Sequence, residues 1–215
     1  MNAVSAPVAV SDVAGVILAG GLSRRMGGGD KCLRLLAGHP ILDRIVERVR
    51  PQVAALVLNA NGDPTRFAGY GLPVAADVVG GFVGPLAGVL TGMEWAAARA
   101  PQCKWLASFA GDAPFLPFDL AARLRRSVAH EGADLACASS GGQTHPVFGL
   151  WRIDLRHDLR RAIEVEAIRK VDVWTARHRL AVVEFAVVPI DPFFNTNRPE
   201  DLTEAERLLL DKVDL

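Results

Sequence analysis

The chain has 215 residues, with 24 Lys plus Arg against 24 Asp plus Glu and a formal net charge of zero. Half of it is hydrophobic, with 20 Gly and 13 Pro. Such a chain can bury one sizeable core; the apolar content argues against disorder, and the even charge against a general nucleic-acid binder.

Residues 1–12 lack the charged start of a secretory signal and read as a flexible tail, with a single domain expected over 13–215. Residues 14–18 (AGVIL) form an apolar run stopped by Gly20-Gly21, the pattern of a central parallel strand. In 40–50, Ile41, Leu42, Ile45, Val46 and Val49 recur at helical spacing. Residues 53–59 are a second strand. Residues 85–98 read as a helix with Pro85 in its first turn. A third strand, 104–110, ends at Gly111-Asp112. A helix is expected over 117–129, and strands over 134–138 and 145–150, joined by a loop at 139–143. A helix over 153–163, a strand over 180–188 and a closing helix over 199–210 complete the chain. Strands alternating with helices predict an α/β fold, with a mostly parallel sheet covered on both faces. In such sheets ligands lie beyond the carboxyl ends of the strands.

No apolar stretch is long enough to span a membrane, so no membrane partner and a cytoplasmic location are expected. Cys32, Cys103 and Cys137 show no CxxC spacing and read as small buried apolar residues rather than a disulfide or zinc framework.

The first strand runs into Leu18-Ala19-Gly20-Gly21-Leu22-Ser23-Arg24-Arg25-Met26-Gly27-Gly28-Gly29-Asp30-Lys31. Glycines let backbone N–H groups approach an anion, and Arg24, Arg25 and Lys31 supply charge. Neither GxxxxGK[ST] nor GxGxxG can be written there, and no GxSxG or HExxH offers hydrolase chemistry elsewhere. Over 14–34, four cations face only Asp30, whereas 199–215 is acidic; the zero total is a cancellation of unlike regions. Asp112 ends an apolar strand before Pro114, where one carboxylate can hold Mg²⁺ or cap a turn. Asn59 and Asn61 can pair with base or ribose edges, or satisfy strand-end backbone. His145 reads as a structural hydrogen-bonder. Arg152, Arg156 and Arg160 lie on one helix stripe with Asp154 and Asp158, the pattern of an ion-paired face or, alternatively, of a pterin-phosphate or partner surface.

The glycine-rich loop resembles the LAGGxSxRMGxDK signature of Rossmann-like nucleotidyltransferases, especially the molybdenum cofactor guanylyltransferases of the MobA family. The resemblance continues through Asn59-Ala60-Asn61, Asp77, Gly84-Pro85-Leu86-Ala87-Gly88, Gly111-Asp112-Ala113-Pro114, His145-Pro146-Val147 and Phe194-Asn195-Thr196-Asn197-Arg198-Pro199-Glu200-Asp201-Leu202, covering nearly the whole chain. It implies a three-layer sandwich of the nucleotidyltransferase type. It implies transfer of GMP from GTP to Mo-molybdopterin, giving the molybdopterin guanine dinucleotide cofactor and pyrophosphate, with Mg²⁺ as cofactor. By position, Leu18, Ala19, Gly20, Gly21, Lys31, Asn59, Asp77 and Asp112 match the GTP-binding set. Lys31, Arg25 and Asp112 match the residues serving the triphosphate, Asp112 the metal ligand, and Asn195 and Asn197 a pair near the molybdopterin. Gly29, Gly111 and Arg198 depart from residues common at those places. The resemblance also admits molybdoenzymes or an accessory chaperone as partners. Two alternatives stay open: a cytidylyltransferase or other small-molecule nucleotidyltransferase, and a non-catalytic nucleotide- or cofactor-binding module.

Overall fold

The computed structural model describes residues 9–20, 29–81 and 84–210. Its centre is a seven-stranded sheet. In chain order the strands are β1 (Val10–Leu18), β4 (Val53–Asn59), β5 (Val74–Ala75), β6 (Trp105–Ala110), β7 (Leu135–Ser140), β8 (Gln143–Arg152) and β9 (Leu180–Phe185). A small hairpin, β2 (Leu35–Leu36) with β3 (His39–Pro40), stands apart. The spatial order is β5-β4-β1-β6-β8-β7-β9, and β8 alone runs antiparallel to its neighbours.

Among the described residues six α-helices cover the sheet: α1 (Ile41–Val49), α2 (Pro85–Arg99), α3 (Leu120–Glu131), α4 (Arg156–Glu164), α5 (Val171–Thr175) and α6 (Pro199–Leu210). Alternation along β1 divides the core. Val13 and Ile17 face a cluster with Ile45, Leu124 and Ala205, so α1, α3 and α6 lie on that side. Ala14 and Val16 face Leu90, Leu159 and Trp174, so α2, α4 and α5 lie on the other. This is the expected three-layer α/β sandwich: the central strands bury both faces, and each helix hides one apolar stripe.

Helix α2 sits unusually close to the sheet. A Cβ on Gly92 would stand 2.8 Å from Val16 Cβ, and one on Gly88 would stand 2.6 Å from Leu18 Cδ2. The missing side chains allow the helix to rest on β1 and bring its amino end to the tips of the strands.

Several boundaries differ from expectation. Strand β1 begins at Val10, so Val10–Asp12, placed in the tail by sequence, belong to the sheet. Pairing explains this: Val10 lies opposite Val53, and Asp12 takes a 2.8 Å ion pair from Arg125. The helix expected from 117 begins at Leu120, after a turn at 118–119. The loop expected at 139–143 shrinks to Gly141-Gly142, both at positive φ (55° and 79°), a tight hairpin that leaves Ser139 and Ser140 in β7. The helix expected over 153–163 opens with a 3-10 turn, Ile153–Leu155, before α4.

Candidate active site

The register of four parallel strands builds one end of the sheet. Leu18 lies opposite both Asn59 and Ala110, and Asn59 lies opposite Ala75. The loops leaving these positions therefore start level, and they carry Gly20, Asn61, Asp77 and Asp112. After β1 the chain turns to one side for β4 and later to the other for β6. The crevice at this reversal is where an open α/β sheet binds ligands.

A cavity of about 310 Å³ occupies the crevice, lined by Leu18, Gly20, Asn59, Asn61, Asp77 and Asp112 together with Gly84, Pro85 and Gly88. Gly84, at φ 76°, turns the chain into α2, and Pro85 begins that helix. The exposed N–H groups of a helix start favour electron-rich ligand atoms. Val147 closes the cavity from β8. It gets there through a bulge: Cys137 and Ala138 of β7 pair with Gly149 and His145, leaving 146–148 unpaired. Buried Ser108 secures the bulge, donating to the Val147 carbonyl (2.6 Å) and accepting from Trp151 Nε1 (2.8 Å).

One side of the cavity is a closed set of amides around a carboxylate. Asn59, only 4% exposed, donates to the Ala75 carbonyl (3.1 Å) and to Asp77 Oδ1 (2.9 Å). Asn61 donates to Asp77 Oδ2 (2.8 Å) and accepts from the Asp77 backbone N–H (2.9 Å). The Val78 N–H reaches Thr91 Oγ1 on α2 at 3.0 Å. Asp77 is thereby fixed in one orientation with both oxygens hydrogen-bonded as acceptors.

The other side is cationic and acidic at once. A small recess of about 50 Å³ adjoins the cavity, sharing Leu18 and Asp112 and adding Ala19, Lys31, Cys32 and Gly111. Lys31 Nζ lies 3.6 Å from Asp112 Oδ2, and each side chain is 22% exposed. Burial pushes the Asp112 carboxyl above the usual carboxylate range, and the Lys31 ammonium draws it part of the way back. A Cβ on Gly111 would stand 2.8 Å from the Leu18 carbonyl oxygen, so glycine suits this close approach of the β1 and β6 loops. Cys32 is no nucleophile: burial pushes its thiol up to about 12.

The late segment folds back onto this edge. Thr196, 1% exposed, donates to the Asp112 carbonyl from its N–H (2.9 Å) and its Oγ1 (3.0 Å). Asn197 Oδ1 accepts from Lys31 Nζ at 2.5 Å. Asn195 is exposed. Asp191 holds the start of the segment, accepting from the Phe193 N–H (3.0 Å) and from Ser140 Oγ (2.9 Å). His145 Nε2 meets Ser140 Oγ at 2.7 Å, and its ring packs on Phe193 at 4.6 Å. Serine stands between histidine and aspartate, so this is a structural relay and not a nucleophilic triad.

The structure thus brings together Leu18, Ala19, Gly20, Lys31, Asn59, Asp77, Asp112 and Asn197. Gly21 and Arg25 lie outside the described residues. Sequence reading gave Gly88, Val147 and Thr196 no role in the site, although each lies in a quoted motif; Asn61, read as able to pair with base or ribose edges, lines the cavity and holds Asp77. The arginine stripe is placed elsewhere. Arg152 lies opposite Trp105, at the far end of the sheet, and pairs with Asp134 (3.0 Å) and Asp154. Arg160 pairs with Glu94 and Glu164, both at 2.6 Å. Arg152 and Arg160 are thus ion-paired, whereas Arg156 donates to the Ile153 carbonyl (3.3 Å).

Among the described residues no three His, Cys, Asp or Glu side chains gather as a metal cage. Two carboxylates line the cavity; both Asp77 oxygens are taken by Asn59 and Asn61, which leaves Asp112 as the carboxylate open to a cation. That fits a hard divalent cation, which is held by one or two carboxylates with phosphate oxygens and waters.

Residues 15–180 match the MobA-like NTP transferase domain. The chain belongs to this family. Its members include molybdenum cofactor guanylyltransferases similar to this chain. That of Rhodopseudomonas palustris (strain BisB5) is 56% identical over 195 residues, 91% of this chain and 93% of the relative. That of Bradyrhizobium sp. (strain ORS 278) is 57% identical over 196 residues, 91% and 92% respectively. The solved structure of molybdopterin-guanine dinucleotide biosynthesis protein A from Archaeoglobus fulgidus superposes with a TM-score of 0.71. It is 22% identical and covers 92% of this chain and 99% of the other, and so shows the shared fold. The chain is therefore a nucleotidyltransferase. None of the described helices is long and apolar enough to cross a membrane.

Proposed function

We propose that this chain is a molybdenum cofactor guanylyltransferase, transferring GMP from GTP to Mo-molybdopterin with release of pyrophosphate. The observation that carries this reading is the meeting of Lys31, Asp112 and Asn197 at the lip of a cavity whose other wall is the Asn59–Asp77–Asn61 cluster. Relatives that share more than half their residues with this chain carry that name.

The nucleoside lies against Asn59 and Asp77, where a fixed, acceptor-only carboxylate suits ligand N–H or O–H groups. Lys31, Arg25 and the glycine-loop amides, that of Gly21 among them, take the triphosphate. Asp112 would hold Mg²⁺, and Mg²⁺ when bound would neutralise charge on the phosphates. Asn195 and Asn197 face the second substrate. Its terminal phosphate oxygen attacks the α-phosphorus of GTP, and the bond to the β-phosphate breaks, its electron pair leaving with pyrophosphate. The attacking phosphate is already anionic, so no general base is required. The protein's work is in-line positioning and charge stabilisation. Soluble substrates, a cytoplasmic location, a single domain that takes in β1 from Val10, and delivery to a molybdoenzyme or chaperone complete the proposal.

Pyrophosphate release, assayed with Mo-molybdopterin and each nucleoside triphosphate in turn, tests it. GTP is expected to be preferred strongly, since a site built for one hydrogen-bonding edge rejects another. Preference for CTP would make the chain a cytidylyltransferase. Guanine-nucleotide binding without release would make it a binding module.

A further inference from the structure

The two walls of the cavity are joined by a residue outside both. Arg66 lies in a 3-10 segment, Pro64–Tyr70, after β4. Its Nε donates to Asp30 Oδ2 at 2.6 Å, and its Nη2 reaches Asp30 Oδ1 at 3.4 Å. The same Nη2 donates to the Asn61 carbonyl at 2.5 Å, and Nη1 donates to the Asp63 carbonyl. The guanidinium lies over the ring of Phe67, 4.6 Å from its centroid, and that ring is buried. Asp30 immediately precedes Lys31, and Asn61 holds Asp77. One planar fork therefore bridges the end of the phosphate loop and the nucleoside loop.

Asp30 is also an anion beside a lysine that must attract anions. Its side chain is 15% exposed, so solvent screens it only in part. An arginine fork is the group best shaped to neutralise a carboxylate and hold backbone carbonyls at once. We infer that Arg66 is a positioning residue of the nucleotide site: it cancels the charge of Asp30 next to Lys31 and sets the phosphate loop against the Asn61–Asp77 loop. This rests on Lys31 being the triphosphate residue.

The test is a cycle of Arg66→Met, Asp30→Asn and the double variant, read by binding of inorganic tripolyphosphate and by KM and kcat with GTP. Arg66→Met is expected to weaken tripolyphosphate binding about tenfold, the scale of one partly screened like charge left near the phosphates. Asp30→Asn added to it is expected to restore most of that loss, which mere support of the loop by Arg66 would not produce. Binding by Arg66→Met within about twofold of wild type, the limit of independent sites, overturns the inference; so does a double variant as weak as the single one. Should melting show Arg66→Met unfolded, Arg66→Lys keeps the charge without the fork. It is expected to hold tripolyphosphate within about twofold and to raise KM for GTP; loss of tripolyphosphate binding in that variant overturns the inference. A wild-type chain that binds no tripolyphosphate removes the role of Lys31 itself, an outcome distinct from the others.

Discussion

Lys31 Nζ and Asn197 Oδ1 lie 2.5 Å apart although 166 positions separate them in the chain. The contact joins the loop that would take the triphosphate to the segment that would face the second substrate, and Asp112 stands beside both. Lys31→Ala is expected to lower turnover about 10²–10³-fold, the scale of losing one preorganised charge-stabilising group, with the fold retained. Steady-state pyrophosphate release and circular dichroism check this together. Turnover within a few-fold of wild type would remove Lys31 from the machinery.

The helix-to-strand contact at Gly88 sets a steric limit. A Cβ there would stand 2.4 Å from Asn59 Oδ1. Gly88→Ala must push Asn59 from Asp77 or lift α2 from the sheet. The expected result is a loss of about 1–3 kcal/mol in stability by urea unfolding, as for other overpacked sites, and a raised KM for GTP. An unchanged KM would mean that the Asn59–Asp77 pair does not hold the nucleoside.

Acidity bears on Asp112 in two opposed ways. Burial raises its folded-state pKa above the unfolded value. Its ionisation therefore costs stability: the cost is absent below the unfolded pKa and grows as pH rises through the folded one. Asp112→Asn is accordingly expected to melt no lower than wild type at neutral pH without nucleotide or metal, while losing activity. Burial favours the protonated carboxyl and protonation would displace a cation, so at limiting metal the acid limb of kcat/KM is expected above that of a free carboxylate and to fall as metal is added. Lys31→Met, which removes the charge that draws this pKa down, is expected to move the limb to higher pH. A limb that stays put would separate it from Asp112.

The three cysteines are buried. Burial pushes Cys137 to about 11 and raises Cys103, as it does Cys32. At pH 8 a thiol reagent is expected to label the native protein slowly and the urea-unfolded protein fully, since the thiolate is the reacting form. Fast native labelling would show a thiol more accessible than this packing permits.

Local patterns were legible where one element answered to one principle. The apolar run at 14–18, the 3.6-residue periodicity of α1 and Pro85 at the start of α2 each marked their elements. The motif residues Leu18, Asn59, Asp77 and Asp112 fall on one cavity because strand register, which follows from the alternation of apolar faces, aligns their loops. What stayed hidden depends on partners distant in sequence. Strand β5 is two residues long and exists through its pairing with Leu58 and Asn59. The antiparallel setting of β8 follows from the Gly141-Gly142 turn, which sequence reading treated as a longer loop. Arg66 carried no signal, because its partners Asp30 and Asn61 meet it only in the folded chain.

The anchoring of Thr196 on the Asp112 carbonyl has a consequence for the order of events during synthesis. Strands β1, β4 and β6, with Lys31 and Asp112, leave the ribosome well before residues 191–197. Until those residues emerge, Lys31 lacks Asn197 and the Asp112 loop lacks both of its hydrogen bonds from Thr196. The growing chain can shape a nucleotide cleft early, but the edge that would receive the second substrate closes only after residues 196 and 197 have emerged. Growing chains that have not reached residue 197 are thus expected to bind nucleotide without turning it over.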